Sequence, residues 1–375
     1  MSSLSEFLLY WRTTVTRGRE IVEAVVRPDH AGPSASLQAA LDAWPGLHYW
    51  GSRRDADRLV LIRVTEQARR ERWWLHGILF LGTFLTVWMG GALLLGVSTR
   101  TLALPGPIDG IAEWVHVRAG AVPFAMALMG ILLAHEMGHY FAAKRYRIDA
   151  SPPFFLPAPV EFTFIGTFGA FIRLRSPIVD RRQLMDIGAA GPWAGFVVAL
   201  LMLVVGLNRS GVAPPGAYTA PMVVQTANGI LFLGDSLLTL GLRNLLVGDG
   251  TVILHQLAVA GWVGVLVTAL NLLPLGQLDG GHIVYALLGD RQRALGIVIW
   301  IGLVAVGAFF FWPWLVWAGL ILVLGGGRLA HPRVLERHRP LPVGRWPVGW
   351  FSVLLFLLTL SPVPILNSTV GGIIG

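Results

Sequence analysis

The strongest constraint on this chain is a series of long apolar runs, the extreme being Ala294–Gly327, 34 consecutive residues without a charge. A helix of about 20 mostly apolar residues crosses the hydrocarbon core of a bilayer. Gly77–Val97, Ala121–Ala143, Leu184–Leu207, Leu254–Leu275 and Trp346–Leu366 each have that length and character. The 34-residue run is long for one span and short for two, and Trp312-Pro313-Trp314 in its middle predicts a tight helical hairpin. The expectation is an all-α polytopic membrane protein with six to seven transmembrane helices. Charged residues are only 13% of the chain and apolar ones 54%, against about 25% charged in soluble domains. With no cysteine, disulfide frameworks and thiolate metal sites are excluded.

Three regions follow. Residues 1–75 are mostly polar, with no apolar core in the first thirty that would read as a signal peptide, and are expected to be a cytoplasmic segment or small domain. Residues 76–340 hold most spans, and residues 341–375 a last helix and short tail. The 29 basic residues include a single lysine, Lys144, an Arg bias that fits a GC-rich bacterial genome and hence a bacterial cytoplasmic membrane. With the N-terminus inside, 25 basic residues fall on the cytoplasmic side and 4 (Arg100, Arg118, Arg209 and Arg243) on the other. That asymmetry is the positive-inside pattern. It accounts for the net charge of +8 with the lipid bilayer as partner and no nucleic acid. Between spans, residues 208–228 read as a Pro/Gly-rich loop, and Asp235 or Ser236 could cap a short interfacial helix.

Ionisable groups inside a span are costly and usually functional. The second span carries His135-Glu136-Met137-Gly138-His139. Histidines at i and i+4 share one helical face and can bind one Zn²⁺. Glu136 lies beside that face, placed to take a proton from a water polarised by the metal. Depth selects the third ligand. The two histidines lie five to nine residues from Lys144, roughly 8–14 Å below the cytoplasmic boundary at 1.5 Å per residue. His255 sits at the far end of its span. Asp186 reads as a charge at a helix N-terminus. Asp279 and His282 remain, where Pro274, Gly280 and Gly281 can break a helix and aim a carboxylate inward.

HEMGH followed about 140 residues later by NLLPLGQLDGG resembles the site-2 protease family of intramembrane zinc metalloproteases. The likeness covers roughly residues 75–340. PFFLPAP, GTFGAFIRL and AGWVGVLVTALNLLP are similar to its plastid and cyanobacterial branch, without PDZ or CBS modules. The resemblance implies one Zn²⁺ per chain on His135, His139 and Asp279, with Glu136 as general base. It implies oxyanion stabilisation by Asn271, a three-helix catalytic core, and single-span membrane proteins as substrates. His282 has no ligand role in that pattern and is kept as a neighbour of the ligands. Gly191 and Gly195 form a small-xxx-small pair that permits close helix approach. Phe162–Arg175 reads as a strand, and the resemblance implies a small membrane-associated β element. There Gly166, Thr167, Phe168 and Gly169 would bind an extended substrate by edge pairing.

A metal transporter, an inactive scaffold and a membrane protease with its zinc on a soluble domain fit less well. No internal repeat is present. Glu136, needed for neither transport nor scaffolding, is retained. The later Glu161 and Glu336 are on no apolar helix that could supply a third ligand.

Overall fold

The computed structural model describes residues 4–366 apart from 17–18, 31–33, 51–56, 65–70, 97–110, 162, 164, 227–228, 333, 335 and 337–338. The N-terminal part is a four-stranded antiparallel sheet of β1 (Leu8–Thr16), β2 (Arg19–Val26), β3 (Gly46–Trp50) and β4 (Arg58–Val64) in the order β1-β2-β4-β3. Helix α1 (Ala35–Asp42), capped by the Ser34 hydroxyl, buries Leu37 and Leu41 against Leu8, Val22, Leu59 and Leu61. These residues have a hydrophobic core of their own.

The remainder is mainly helical. α2 (Trp73–Leu93) and α3 (Ile111–Arg145) precede a hairpin of β5 (Phe154–Pro157) and β6 (Thr167–Phe171). α4 (Arg181–Leu207) follows, its N-terminus capped by Asp180. Then come β7 (Gly211–Val212), β8 (Met222–Thr226), β9 (Gly229–Leu233), α5 (Leu237–Leu246) and β10 (Val252–Ile253). The chain continues as α6 (Gln256–Asn271), α7 (Asp279–Leu288), α8 (Gln292–Phe309), α9 (Pro313–Leu324), α10 (Trp346–Thr359) and β11 (Ile365–Leu366).

Among the described residues four helical stretches are long and apolar enough to cross a membrane: Trp73–Leu93, Ala119–Arg145, Arg181–Leu207 and Asp279–Phe309. The expected fourth span is shortened to 16 residues, about 24 Å. Pro274 disfavours helix in the residue before it, so α6 stops at Asn271. Residues 279–293, expected between spans, instead form α7 and lead into α8. The 34-residue run is two helices joined at Phe310–Trp312, with Gly307 against Leu315 and the Trp300 indole donating to the Ala318 carbonyl (3.1 Å).

The chain is also less purely helical than expected. Besides the N-terminal sheet and the β5–β6 hairpin, β11-β9-β8-β10-β7 form a five-stranded sheet. Two of its strands, β7 and β8, lie within the expected loop 208–228. Its strands have two to five residues, too few for alternation to register as strand.

Three helices form the centre. α3 and α6 run parallel: Gln256 donates to the Gly120 carbonyl (2.7 Å) at one end, and Asn271 reaches His135 at the other. α4 runs antiparallel between them. A Cβ on Gly138 would lie 2.3 Å from the Ala190 carbonyl oxygen, and one on Gly206 would lie 2.0 Å from the Ala258 nitrogen. Lipid offers apolar side chains no gain from leaving it, so close backbone contact is a main source of helix association. Hydrogen-bonded links hold α10 to this core. Trp193 donates to Ser352 (2.9 Å), and Arg345 makes a two-point contact with Asp186 (2.7 and 2.9 Å).

Tyr146 also donates to Asp186, at 2.5 Å, and its phenol titrates above the ordinary range because of burial and then the adjacent carboxylate. A raised phenol pKa means that this contribution to stability is complete below about pH 10 and lost as pH rises through the shifted value. Asp186→Asn is expected to lower the melting temperature in detergent at pH 8. It should also bring the Tyr146 ultraviolet titration back toward that of a free phenol.

Candidate metal centre

His135 and His139 lie one turn apart on α3, as the i, i+4 spacing requires. Asp279 arrives as the first residue of α7. The turn from Leu272 to Leu278 reverses the chain with Gly276 at φ +51°, a conformation that suits glycine. A Cβ on Gly280 would lie 1.9 Å from the Leu272 carbonyl oxygen, and one on Gly281 2.4 Å from that of Gly276. The paired glycines therefore do not break a helix. They allow the first turn of α7 to pack on the turn before it, which delivers Asp279 to α3.

The three side chains converge. The Nε2 atoms of His135 and His139 are 3.1 Å apart, and each is 3.3 Å from Asp279 Oδ2. Among the described residues this is the one group of three or more His, Asp or Glu side chains with ligand atoms close enough to share a metal ion. A tetrahedral ion with bonds of about 2.0 Å holds its ligand atoms about 3.3 Å apart, so the donor set and spacing fit zinc. The His139 tautomer fits too. Its Nδ1 is 2.7 Å from the Ile187 carbonyl, which only accepts, so Nδ1 carries the proton and Nε2 keeps its lone pair for a metal.

Glu136 is buried beside these groups. Asn271, the last residue of α6, has its amide nitrogen 3.5 Å from His135 Nε2. The four expected strand residues divide. A Cβ on Gly166 (φ +76°) would lie 2.1 Å from the Thr86 carbonyl oxygen, so Gly166 seats the hairpin on α2. Thr167 is buried and donates to the Leu156 carbonyl (2.8 Å). Phe168 is 62% exposed, and Gly169 (φ +101°) has open space where a side chain would stand. In its sheet β6 pairs with β5 alone.

Two sets of residues around the centre carry more than the sequence reading gave them. Gly191 and Gly195, read as helix packing, lie directly against the histidines. A Cβ on Gly191 would lie 2.1 Å from His139 Nε2, and one on Gly195 3.0 Å from His135 Cβ. Their spacing of four matches that of the histidines, a signal already present in the sequence. The second set is a strap behind Asp279. Gln292 is 1% exposed and donates to the carbonyls of Pro274 (3.2 Å) and Leu329 (3.3 Å), while accepting from the His331 backbone N–H (3.0 Å). The His282 ring meets His331 at 2.6 Å, outside the group of three. The members of this strap are up to 57 residues apart in the chain, from Pro274 to His331, and no motif announces them.

Gln292→Leu strands these backbone partners in a buried site and is expected to cost about 2 kcal/mol or more, read as lowered thermal stability in detergent. Burial, then the neighbouring His282, push His331 down to about 3. A lowered histidine value means that its contribution is complete above about pH 6.5 and lost as pH falls toward 3. The wild-type melting temperature should therefore drop over that window more steeply than that of His331→Gln.

The match to the family model described as "Peptidase family M50" spans residues 123–312, about half of the chain. The chain is 34% identical over 312 residues to an Arabidopsis thaliana protein named "Probable zinc metalloprotease EGY1, chloroplastic", covering 78% of this chain and 54% of that one. It is 31% identical over 309 residues to the Oryza sativa subsp. japonica protein of the same name, covering 78% and 51%. With "Probable zinc metalloprotease EGY2, chloroplastic" of Arabidopsis thaliana it shares 30% over 249 residues, covering 65% and 42%. The chain thus spans about half the length of the curated relatives it matches. All three are plant proteins named as chloroplastic, so the likeness points to plastid-type sequences and does not carry the bacterial reading of the Arg bias. No solved structure matches.

Proposed function

This chain belongs to peptidase family M50, and we propose that it is a zinc-dependent endopeptidase of the site-2 type. It cuts single-span membrane proteins within or near their transmembrane segments. The observation that carries this reading is the convergence of His135, His139 and Asp279 beside a buried carboxylate and a strand with one partner.

His135, His139 and Asp279 would hold one zinc ion per chain. Zinc supplies Lewis-acid chemistry, lowering the pKa of water to about 7 and polarising a carbonyl. Glu136 removes the proton from the attacking water and returns it to the leaving amine. Its place next to His135 on α3 keeps the buried carboxylate beside the two histidines. The Asn271 amide donates to the oxygen that gains charge as the carbonyl carbon becomes tetrahedral. A helical peptide bond is closed to such attack, so the substrate must be extended. The exposed Phe168 and the open Gly169 support docking along β6 by backbone pairing. The ionic rim supports a site near one membrane face. Arg173, Arg175, Arg181 and Arg182 follow the histidines in sequence on what the charge asymmetry makes the cytoplasmic side.

The test compares wild type and Glu136→Gln, both purified in detergent, for zinc content and cleavage of a single-span membrane substrate. Both should hold about one zinc per chain. The variant should lose about 10²–10⁴-fold in cleavage rate, the contribution of a positioned acid–base group. Cleavage that survives in Glu136→Gln would remove Glu136 from the role of base. Zinc in wild type without cleavage of any of several substrates would overturn the endopeptidase reading.

A further inference from the structure

Helix α5 (Leu237–Leu246) is inside out for a helix facing water. Its protein-facing side is polar. Ser236 and Thr239 form a reciprocal cap (2.8 and 3.2 Å), and the Thr239 hydroxyl also reaches Asp235 (2.9 Å). Arg243, 7% exposed, pairs with Asp235 at 3.3 Å and donates to the Gly250 carbonyl (3.3 Å). The outward side is mainly leucine: Leu237 is 63% exposed, Leu240 39% and Leu245 80%, with Gly241 and Asn244 exposed between them. Positions 237, 240 and 245 fall within about 140° of the helix circumference, at 3.6 residues per turn. A surface helix in water arranges the two classes the other way round.

Its placement explains the inversion. Gly234, two residues before the Ser236 cap, accepts the Trp262 indole N–H (3.1 Å) and donates its own N–H to the Pro364 carbonyl (2.8 Å). Trp262 is six residues into α6, about 9 Å along the helix from Gln256. Pro364 lies just beyond α10, whose 14 residues span about 21 Å from Arg345, short of a hydrocarbon core of about 30 Å. The start of α5 is therefore level with the interior of the helical layer. It sits at the end away from the metal centre, because Asn271 and His135 meet at the other end of α6. The tip of the α8–α9 hairpin reaches the same level, where Trp314 donates to the Pro362 carbonyl (2.7 Å) beside exposed Phe309, Phe310 and Trp312.

From this we infer that α5 is sunk into the leaflet opposite the metal centre, with Leu237, Leu240 and Leu245 in contact with lipid acyl chains. The buried Asp235–Arg243 pair and the Ser236–Thr239 cap satisfy its protein-facing polar groups internally, as a segment with little access to water requires, while the exposed Asn244 is placed to reach the headgroup region. Acyl chains fit better than a second copy. α5 packs against α10, an apolar helix whose own outward residues Trp350, Leu354 and Leu357 are exposed, so both helices present apolar side chains to the same kind of surroundings.

The chain has no cysteine, so single-cysteine variants of the full chain give clean attachment points for a nitroxide label. Leu240→Cys, Leu245→Cys, Leu354→Cys on α10 and Asn208→Cys, exposed after α4, would be reconstituted in phosphatidylcholine vesicles. Collisions with oxygen, which concentrates in lipid, would be compared with those of a water-soluble nickel chelate. The labels at 240 and 245 are expected to match 354, with oxygen dominant and the nickel collisions seen at 208 lost. Nickel access at 240 and 245 equal to that at 208 would overturn the inference. So would shielding from both reagents with spin–spin broadening in fully labelled samples, which would place a second copy on the leucine face. Since these leucines are exposed, their replacement leaves the packing intact, and an unchanged melting temperature verifies it.

Discussion

Gly191→Ala is expected to lose zinc while keeping its helices. The added methyl carbon would lie 2.1 Å from His139 Nε2, and 2.4 Å from its neighbouring ring carbons. No real Cβ sits that close, so either the imidazole leaves its position or α4 moves away from α3. Either movement takes the metal-facing lone pair out of the group of three. Loss of a residue that merely orients a ligand costs 10–100-fold in metal affinity, so displacing the ligand itself should cost about 100-fold or more. Equilibrium dialysis against buffered zinc would measure it, with helical content followed by circular dichroism. The series is graded. Gly195→Ala meets His135 at 3.0–3.2 Å and should lose less, because a few tenths of an ångström of relaxation suffice. Gly130→Ala on α3 meets nothing within 4 Å and should bind zinc like wild type. Retention of full zinc affinity by Gly191→Ala would mean that His139 does not point where the structure places it.

The second large effect is on the fold rather than the metal. A Cβ on Gly206 would lie 2.0 Å from the Ala258 nitrogen and 2.4 Å from its Cα. Both are backbone atoms on a neighbouring helix, so no side-chain rotation relieves the clash. Gly206→Ala must push α4 off α6, giving up the close approach that also brings Gly261 against Leu203 and Gly264 against Ala199. Overpacking costs typically 1–3 kcal/mol and more when backbone must move, so a loss of about 3 kcal/mol or more is expected. Thermal unfolding in mild detergent reads it. Gly82→Ala on α2, with nothing within 4 Å, should be neutral or slightly stabilising, since alanine is the better helix former. Equal melting temperatures for the Gly206 and Gly82 variants would show that α4 and α6 are not held by backbone contact.

The sequence by itself determined the chemistry. Long apolar runs marked most membrane helices, because apolar length is the property that a bilayer selects. HEMGH supplied two candidate ligand histidines and an adjacent carboxylate, because i, i+4 spacing fixes their common face before any tertiary contact forms. The motif around Asp279 identified a third candidate from a segment more than 130 residues away. These features are legible because each is local or tied to a motif.

The tertiary structure decided how those groups are brought together. Pro274 and Gly276 turn the chain after Asn271, so Asp279 opens a new helix rather than ending the old one. The five-stranded sheet collects strands of two to five residues from either side of α5 and from the far end of the chain, a pairing that no local alternation encodes. Gly191 and Gly195 look the same in the sequence whether they face lipid, a helix or a ligand; the approach of α4 to α3 gives them His139 and His135 as neighbours. The polar side of α5 is likewise inward only because Gly234 is tied between Trp262 and Pro364. A residue type sets what a side chain can do. Which atoms it meets is a long-range property of packing, set here by backbone contacts that only glycine allows.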